Sequence, residues 1–301
     1  MSKACRWLVA LFLVAVAPLS AQTPGSSQPI SDARLEAIAI ERDSARAWVE
    51  LARRRAEAGG PAAGLDAARR ALELAPNSED ALAMWARLCL GAGQPIQALT
   101  ALEALARIHP KGAHHVYLLG VTWLQVGDLV EAIDVLERAI DLQPDQPRPK
   151  IALGLAWNAQ KRYAEAGEVL EAALRVAPDE PEAMAAYAEA LEGLGELDAA
   201  QRFANRTLER IEHETAFLVL GMVAMKRGDF DGARAALERA VALGEAQGSA
   251  EPKAHYQLSL AYARLGEREL SERHREHYQA SQRAIRRQLL ALRGQNPPED
   301  P

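Results

Sequence analysis

The side chains of this sequence best suited to chemistry are one cysteine and two pairs of histidines. Cys89 has no histidine placed near it by the spacing, and a thiolate nucleophile needs such a base. We therefore interpret Cys89 as a small buried apolar residue. His114 and His115 are adjacent, so on a helix they point about 100° apart and cannot share one metal ion. His274 and His277 are three residues apart, but no third ligand can be identified for them.

Other chemical signals are weak. Glu189 and Glu192 lie at helical spacing, which is typical of a solvated helix face. The sequence contains no phosphate-binding loop, no nucleophile elbow and no zinc motif. The formal net charge of −6 argues against a nucleic-acid surface. We therefore expect no enzymatic activity, no catalytic residues, no metal site, no cofactor and no nucleic-acid partner.

The helices that must position any binding site can be predicted from an internal repeat. Four prolines recur at an interval of 34 residues, namely Pro76, Pro110, Pro144 and Pro178. Small residues recur in register with them, at Ala52, Ala86, Gly120, Gly154, Ala188, Gly221 and Ser259. Seven positions further on, each unit has a turn residue: Gly59, Gly93, Gly127, Lys161, Gly195, Gly228 and Gly266. A unit of this length predicts a pair of helices that pack closely through small residues and end before the proline.

The repeat resembles the tetratricopeptide repeat, whose signature of the same period is Trp-x-x-Leu-Gly-x-x-Tyr…Ala…Pro. The opening is matched by Trp48-x-x-Leu51-Ala52, and the centre by Leu119-Gly120-x-x-Trp123, Leu153-Gly154-x-x-Trp157 and Leu258-Ser259-x-x-Tyr262. The resemblance implies an all-α fold, a right-handed superhelical solenoid of about seven helix-turn-helix repeats with N- and C-terminal capping helices. It also implies that the protein binds other proteins.

The first residues resemble an export signal. Lys3 and Arg6 precede an uncharged apolar run at residues 7–19, which is followed by the small residues Ser20 and Ala21. We expect cleavage after Ala21, with a retained N-terminal membrane anchor as the alternative. The cleaved chain would have no membrane span and would be periplasmic or secreted in a Gram-negative-type bacterium.

These features predict six segments. They are a signal peptide (1–21), a disordered linker (22–30), an N-terminal capping half-repeat (31–44), the repeat array (45–271), a basic C-terminal capping helix (272–293) and a disordered tail (294–301). The units of the array start near residues 45, 79, 113, 147, 181, 214 and 252.

A partner-binding groove is predicted on the first helices of the units. Their packed side is assigned to the small residues, so rotation by about 100° per residue defines the opposite side. In the resembling repeats that side lines the concave groove that holds ligands. Arg53 and Arg87 interrupt it in the first two units, and Glu189 and Glu192 in the fifth. The predicted groove residues are Tyr117, Val121, Leu124, Ile151, Leu155, Leu218, Met222, Met225, Tyr256 and Leu260.

An apolar helix face of this kind must be covered by something. We predict a non-enzymatic scaffold or adaptor that captures an apolar-faced peptide or partner helix in the groove. The alternative is a self-assembling structural protein whose groove is covered by its own copy or by the C-terminal helix. Coverage by its own copy would make the protein a homo-oligomer.

Overall fold

The computed structural model describes residues 31–246 and 252–292. The predicted signal peptide (1–21), linker (22–30) and tail (294–301) lie outside the described residues. Within the described ranges the chain forms helices and no strand, which confirms the predicted all-α fold class.

Fifteen helices follow one another in these ranges. They are α1 (Asp32–Glu41), α2 (Ala45–Gly59), α3 (Pro61–Leu74), α4 (Glu79–Gly91), α5 (Pro95–Ile108), α6 (Ala113–Val126), α7 (Leu129–Leu142), α8 (Pro147–Ala159), α9 (Tyr163–Val176), α10 (Pro181–Leu194), α11 (Leu197–Leu208), α12 (Glu214–Arg227), α13 (Phe230–Ala246), α14 (Pro252–Leu265) and α15 (Arg268–Leu292).

The chain divides into two compact units, and the division falls inside α6, after Thr122. In the N-terminal unit, α1 is followed by the pairs α2/α3 and α4/α5 and by most of α6. The C-terminal unit begins at Trp123 and contains α7 and the pairs α8/α9, α10/α11, α12/α13 and α14/α15. The sequence predicts that the array ends at residue 271 and that a capping helix begins at residue 272. In the structure α15 runs through this boundary without a break, so both segments belong to one helix.

Local sequence signals explain where the helices begin and end. The hydroxyl oxygens of Ser31, Ser44 and Ser78 accept hydrogen bonds from the backbone N–H three residues later, which caps α1, α2 and α4. Proline begins α3, α5, α8, α10 and α14, where its missing N–H has no helical partner to lose. The four prolines at the fixed interval lie two residues beyond the ends of α3, α5, α7 and α9, because proline cannot continue a helix.

The turns inside the helix pairs require a left-handed backbone. The glycines at the predicted turn positions have positive φ angles from the second unit onward, and Lys161 adopts φ 62° without being glycine. The first turn differs from the prediction, because Gly59 is the last residue of α2 and Gly60 has φ 81° instead. This shift by one residue places Pro61 at the start of α3.

Small residues hold the two helices of a pair at close range. A methyl group built on Gly154 of α8 would lie closer than 3.0 Å to Cγ, Cδ1 and Cδ2 of Leu170 in α9. A methyl group on Gly221 of α12 would overlap Cγ and Cδ2 of Leu237 in α13 in the same way. Since both leucines are fully buried, neither can move aside without opening the core. The predicted small-residue column is therefore the contact surface of the helix pair.

The substitution Gly154→Ala is expected to destabilise the protein by about 1–2 kcal/mol. Overpacking against Leu170 costs about 1–3 kcal/mol, and the better helix propensity of alanine offsets up to about 1 kcal/mol of that cost. Gly167→Ala in α9 is the matched control, because the nearest atom to its added methyl group, Cε2 of Tyr187, is 4.0 Å away. The control should be neutral or stabilising. Urea denaturation followed by circular dichroism measures the free energy of unfolding of both variants. Equal effects would contradict the role of the small residues as the contact surface of the helix pair.

Candidate functional site

The ten predicted groove residues differ widely in exposure. Leu124, Leu155 and Met225 are half-buried. Tyr256 and Leu260 are exposed, at 41% and 38%. The others are buried in the folded chain: Tyr117, Val121, Ile151, Leu218 and Met222. Most of the predicted set is therefore covered by other parts of the protein.

Core packing accounts for this burial in the C-terminal unit. Ile151 forms a cluster with Ala173 and Ala183, and Leu155 packs against that cluster. Leu218 and Met222 belong to a second cluster, together with residues of α13 and α14, and Met225 packs against it. The first helix of a repeat is thus covered by its own second helix and also by the next repeat. Only part of the predicted face remains for a partner.

Two carboxylates that interrupt the predicted groove form ion pairs between repeats. Glu192 is buried, and its Oε1 lies 2.7 Å from Nζ of Lys226 in the sixth repeat. Oε1 of Glu189 accepts a hydrogen bond of 2.6 Å from Nζ of Lys253 in the seventh repeat. These contacts correct the expectation that Glu189 and Glu192 form a solvated face. Paired in this way, they link α10 to α12 and α14.

The C-terminal helix covers part of the same unit. Tyr278 of α15 lies against Tyr256, with ring centroids 5.1 Å apart. Further along α15, Cγ2 of Ile285 would lie 3.7 Å from a methyl group built on Gly127, in the turn before α7. α15 therefore reaches from the seventh repeat back to the third.

A histidine cluster fastens α15 to α14. Nδ1 of the buried His255 lies 2.9 Å from Nδ1 of His274, and the ring of His255 also stacks on His277 with centroids 5.1 Å apart. Tyr262 stacks on His274 and donates a hydrogen bond of 2.7 Å to Glu238 of α13. Within residues 31–246 and 252–292, no three His, Cys, Asp or Glu side chains are arranged to hold a metal ion.

Burial and like charge set the protonation of this cluster. The pKa of His255 is lowered to about 4, mainly by burial, with His274 and His277 acting in the same direction and Glu245 against it. Burial also lowers the pKa of His274, with His277 and Arg273 acting in the same direction and Glu245 and Glu238 against it. One of the two facing Nδ1 atoms must donate and the other accept, so the contact requires at least one neutral ring.

Cys89 shows no features of a nucleophile. It is fully buried, and burial raises the pKa of its thiol to about 12. Its Sγ lies 3.9 Å from Oε1 of Gln97, an amide oxygen that cannot act as a base. Its interpretation as a buried apolar residue is confirmed. Asn158 is also buried and donates a hydrogen bond of 2.8 Å to the carbonyl oxygen of Ala186.

The N-terminal unit contains a cavity of about 320 Å³. Its apolar wall includes Val49 of α2, Ala83, Met84 and Leu90 of α4, and Leu118 of α6. The volume is at the small end of the range for ligand pockets, roughly 300–1,000 Å³. A cavity of this size and polarity is suited to receive an apolar side chain.

Charged and polar side chains complete the wall of this cavity. Arg53 is on α2, Asp80 and Arg87 are on α4, and His114 and His115 are on α6. Nδ1 of His115 is buried without a hydrogen-bond partner among the described groups. Burial lowers the pKa of His115, so the ring is neutral near pH 7.

The cavity lies on the groove face of the first two repeats, where Arg53 and Arg87 interrupt the apolar side chains. Val49 and Ala83 precede Tyr117 in one column at the repeat interval, and Arg53 and Arg87 precede Val121 in the next. The signal that could have indicated the cavity is the small side chain of Ala83. The equivalent position one repeat later is occupied by the much larger side chain of Tyr117.

The helix pairs and their small-residue contacts define a helical repeat protein, and the sequence matches two family models, both of the tetratricopeptide repeat. One model matches residues 83–147 and 218–272, and the other matches residues 158–218. Together the matches cover more than half of the chain, so this chain belongs to the tetratricopeptide repeat family. The family and the fold support a scaffold for protein interactions.

Three solved structures illustrate the shared fold. A tetratricopeptide repeat protein from Parabacteroides merdae matches with a TM-score of 0.59 and 14% identity, over 86% of this chain and 99% of that one. MamA matches with a TM-score of 0.51 and 23% identity, over 55% and 90%. YrrB, a TPR protein with an unusual peptide-binding site, matches with a TM-score of 0.51 and 16% identity, over 60% and 94%. At these identities the likeness shows the fold alone.

No curated protein sequence matches the chain significantly. In residues 31–246 and 252–292, no helix has both the length and the apolar character needed to cross a membrane.

The histidine cluster predicts that acid weakens the α14/α15 pair. The unfolded chain takes up a proton on His255 near pH 6.5, whereas the folded chain does so only near pH 4. The contribution of the neutral His255 ring to the free energy of unfolding is therefore fully present above pH 6.5. It is lost as the pH falls from 6.5 towards 4. We expect His255 to contribute a loss of about 1–2 kcal/mol between pH 7 and pH 5.

Thermal unfolding of the wild type, His255→Phe and His114→Gln at both pH values measures this contribution. His255→Phe should lose part of the pH dependence, because it removes the group that takes up the proton. His114→Gln is the control, since His114 is an exposed histidine and its loss should leave the pH dependence unchanged. An identical pH dependence in all three proteins would contradict the assignment to His255.

Proposed function

We propose that this protein is a non-enzymatic interaction scaffold that captures an apolar-faced peptide or partner helix. The cavity of the N-terminal unit is the proposed site, and a side chain of the partner fills it. The observation that carries the proposal is an open apolar cavity on the groove face of the first helices, in a chain where half of the predicted groove residues are buried. YrrB, which shares the fold, is a TPR protein with a peptide-binding site.

The partner would be recognised by burial of apolar surface. Val49, Ala83 and Leu118 present half-buried apolar surface to the cavity, and each apolar Å² that a partner removes from water contributes roughly 25 cal/mol. Met84 adds an adaptable wall, since methionine fits side chains of different shape. The site therefore selects for an apolar side chain on a peptide or helix rather than for one exact ligand.

The C-terminal unit has a second, internal role in this proposal. We propose that α15 covers the predicted groove face there, because Tyr278 contacts Tyr256 and Ile285 lies beside Gly127. This arrangement corresponds to the occlusion by the C-terminal helix that the sequence leaves as an alternative. Tyr256 and Leu260 remain exposed and are the groove residues most available to a partner or to a second copy of the chain.

We also propose export of the protein to the periplasm or the medium. The support is the N-terminal pattern alone, with Lys3 and Arg6 before an apolar run that ends near Ser20 and Ala21. A scaffold released in this way would meet partners outside the cytoplasm.

The substitution Ala83→Trp is expected to abolish partner capture, because the indole fills the cavity. Crosslinking and affinity purification from the native host, followed by mass spectrometry, would compare it with the wild type. Ala62→Trp is the matched control, since Ala62 is exposed on α3 and does not line the cavity. Circular dichroism should show the same helicity in all three proteins.

The proposal holds if a protein is enriched by the wild type and by Ala62→Trp and is lost with Ala83→Trp. Equal enrichment by all three proteins would show that the cavity is not the binding site. Recovery of the chain itself, with a dimer in light scattering at tens of micromolar, would favour the self-assembling alternative.

Export predicts a shortened mature chain. After expression in a Gram-negative host, the periplasmic protein should begin at Gln22, and intact-mass spectrometry would detect this. Leu13→Arg is expected to block export, because it places a charge in the apolar run. An intact chain starting at Met1 in the membrane fraction would instead identify a retained anchor.

A further inference from the structure

We infer that the partner places a side-chain carboxylate beside Arg87 while its neighbouring apolar side chain enters the cavity of the N-terminal unit. This inference rests on the proposed function and adds the chemistry of the ligand: an internal segment with Asp or Glu close to an apolar anchor.

The argument begins with two arginines at equivalent positions, Arg53 and Arg87, which are one repeat apart and both line the cavity. Arg53 is satisfied within its own helix. Its Nε and Nη2 donate hydrogen bonds of 2.9 and 2.6 Å to Glu50, and its Nη1 donates one of 2.5 Å to Glu57. These bonds hold the pKa of Arg53 above its usual range.

Arg87 lacks the two glutamates that Arg53 has on its own helix. The positions equivalent to Glu50 and Glu57 in the second repeat are Met84 and Gly91, which carry no charge. Nη2 of Arg87 donates instead to Sδ of Met84, at 3.0 Å, and a thioether is a weak acceptor. No carboxylate of residues 31–246 or 252–292 lies within 4.0 Å of a nitrogen of Arg87 in an ion pair.

The surroundings favour a carboxylate at this point. Arg87 is half-buried next to apolar surface, where a charge-assisted hydrogen bond is stronger than in water. His115 of α6, which also lines the cavity, has a pKa lowered by burial, so its neutral ring neither replaces nor repels the ligand carboxylate near pH 7.

Asp80 gives the site a direction. It lies seven residues before Arg87 on α4, which corresponds to about 10 Å along the helix, so it does not neutralise the guanidinium. Its exposed carboxylate disfavours a second acid at the other end of the cavity. A partner with one carboxylate would therefore bind with that group at the Arg87 end.

Arrays of synthetic dodecapeptides can test this inference with the purified full chain. Each peptide has a central Leu, Phe or Met with randomised flanks, and both termini are blocked so that no terminal carboxylate is present. We expect the bound peptides to be enriched in Asp or Glu within one helical turn of the anchor.

A double-mutant cycle on the best peptide then tests direct contact. Replacing its acid by the amide should weaken binding at least about tenfold, as should Arg87→Gln, and the two changes together should weaken it little further. Arg107→Gln is the matched control, since Arg107 is exposed on α5 and does not line the cavity. Arg87→Lys should retain part of the affinity, and thermal melting checks that each variant is folded.

The outcomes separate this inference from the proposed function. Bound peptides that lack acids, or additive effects in the cycle, would overturn the carboxylate contact while Ala83→Trp still abolished peptide binding. Binding only by peptides with a free C-terminus would also overturn it, because the ligand would then be a terminal carboxylate. If no peptide binds the wild type better than Ala83→Trp, both the inference and the proposed peptide site fail.

Discussion

The close approach of two helix backbones is the constraint on which the rest of this protein depends. Gly154 and Leu170, and again Gly221 and Leu237, meet at the same point of a helix pair, 16 residues apart in each case. Because a leucine occupies the space where a side chain would begin, the helices can approach only where the opposite residue is very small. This contact fixes which side of each first helix is packed. It thereby determines which side is left for neighbouring repeats, for α15 or for a cavity.

The fold follows from signals that are local and repeated. Each of Pro76, Pro110, Pro144 and Pro178 ends a helix by its own geometry, and recurrence makes such a signal readable in one sequence. The exceptions are local as well. Lys161 takes the left-handed conformation because the surrounding helix pair imposes it, and Gly60 replaces Gly59 because two glycines in a row leave the turn position ambiguous. Neither detail follows from the repeat alone.

The candidate site was only partly predictable, because burial depends on neighbours that a single column does not contain. Helix periodicity defines a groove face on the first helices, but Ile151 and Leu218 on that face are covered by adjacent helices. The ion pair of Glu189 with Lys253 joins residues 64 positions apart, and nothing in either repeat indicates the other. The cavity depends on the small side chain at Ala83. Differences between equivalent positions, such as Glu50 and Met84, carry more information about binding than the residues that the repeats share.

The contact between Ile285 and the turn at Gly127 changes how the C-terminal unit must fold. An open array of repeats has only neighbour contacts, so its ends can fray while its middle stays intact. Here α15 returns to a residue 158 positions earlier, and Lys253 reaches past the sixth repeat to Glu189. Such long-range contacts require a loop to close before they form, which slows folding and ties the last helix to the first turn of the unit. The last two helices of the unit are therefore coupled to earlier repeats by contacts that a linear array lacks.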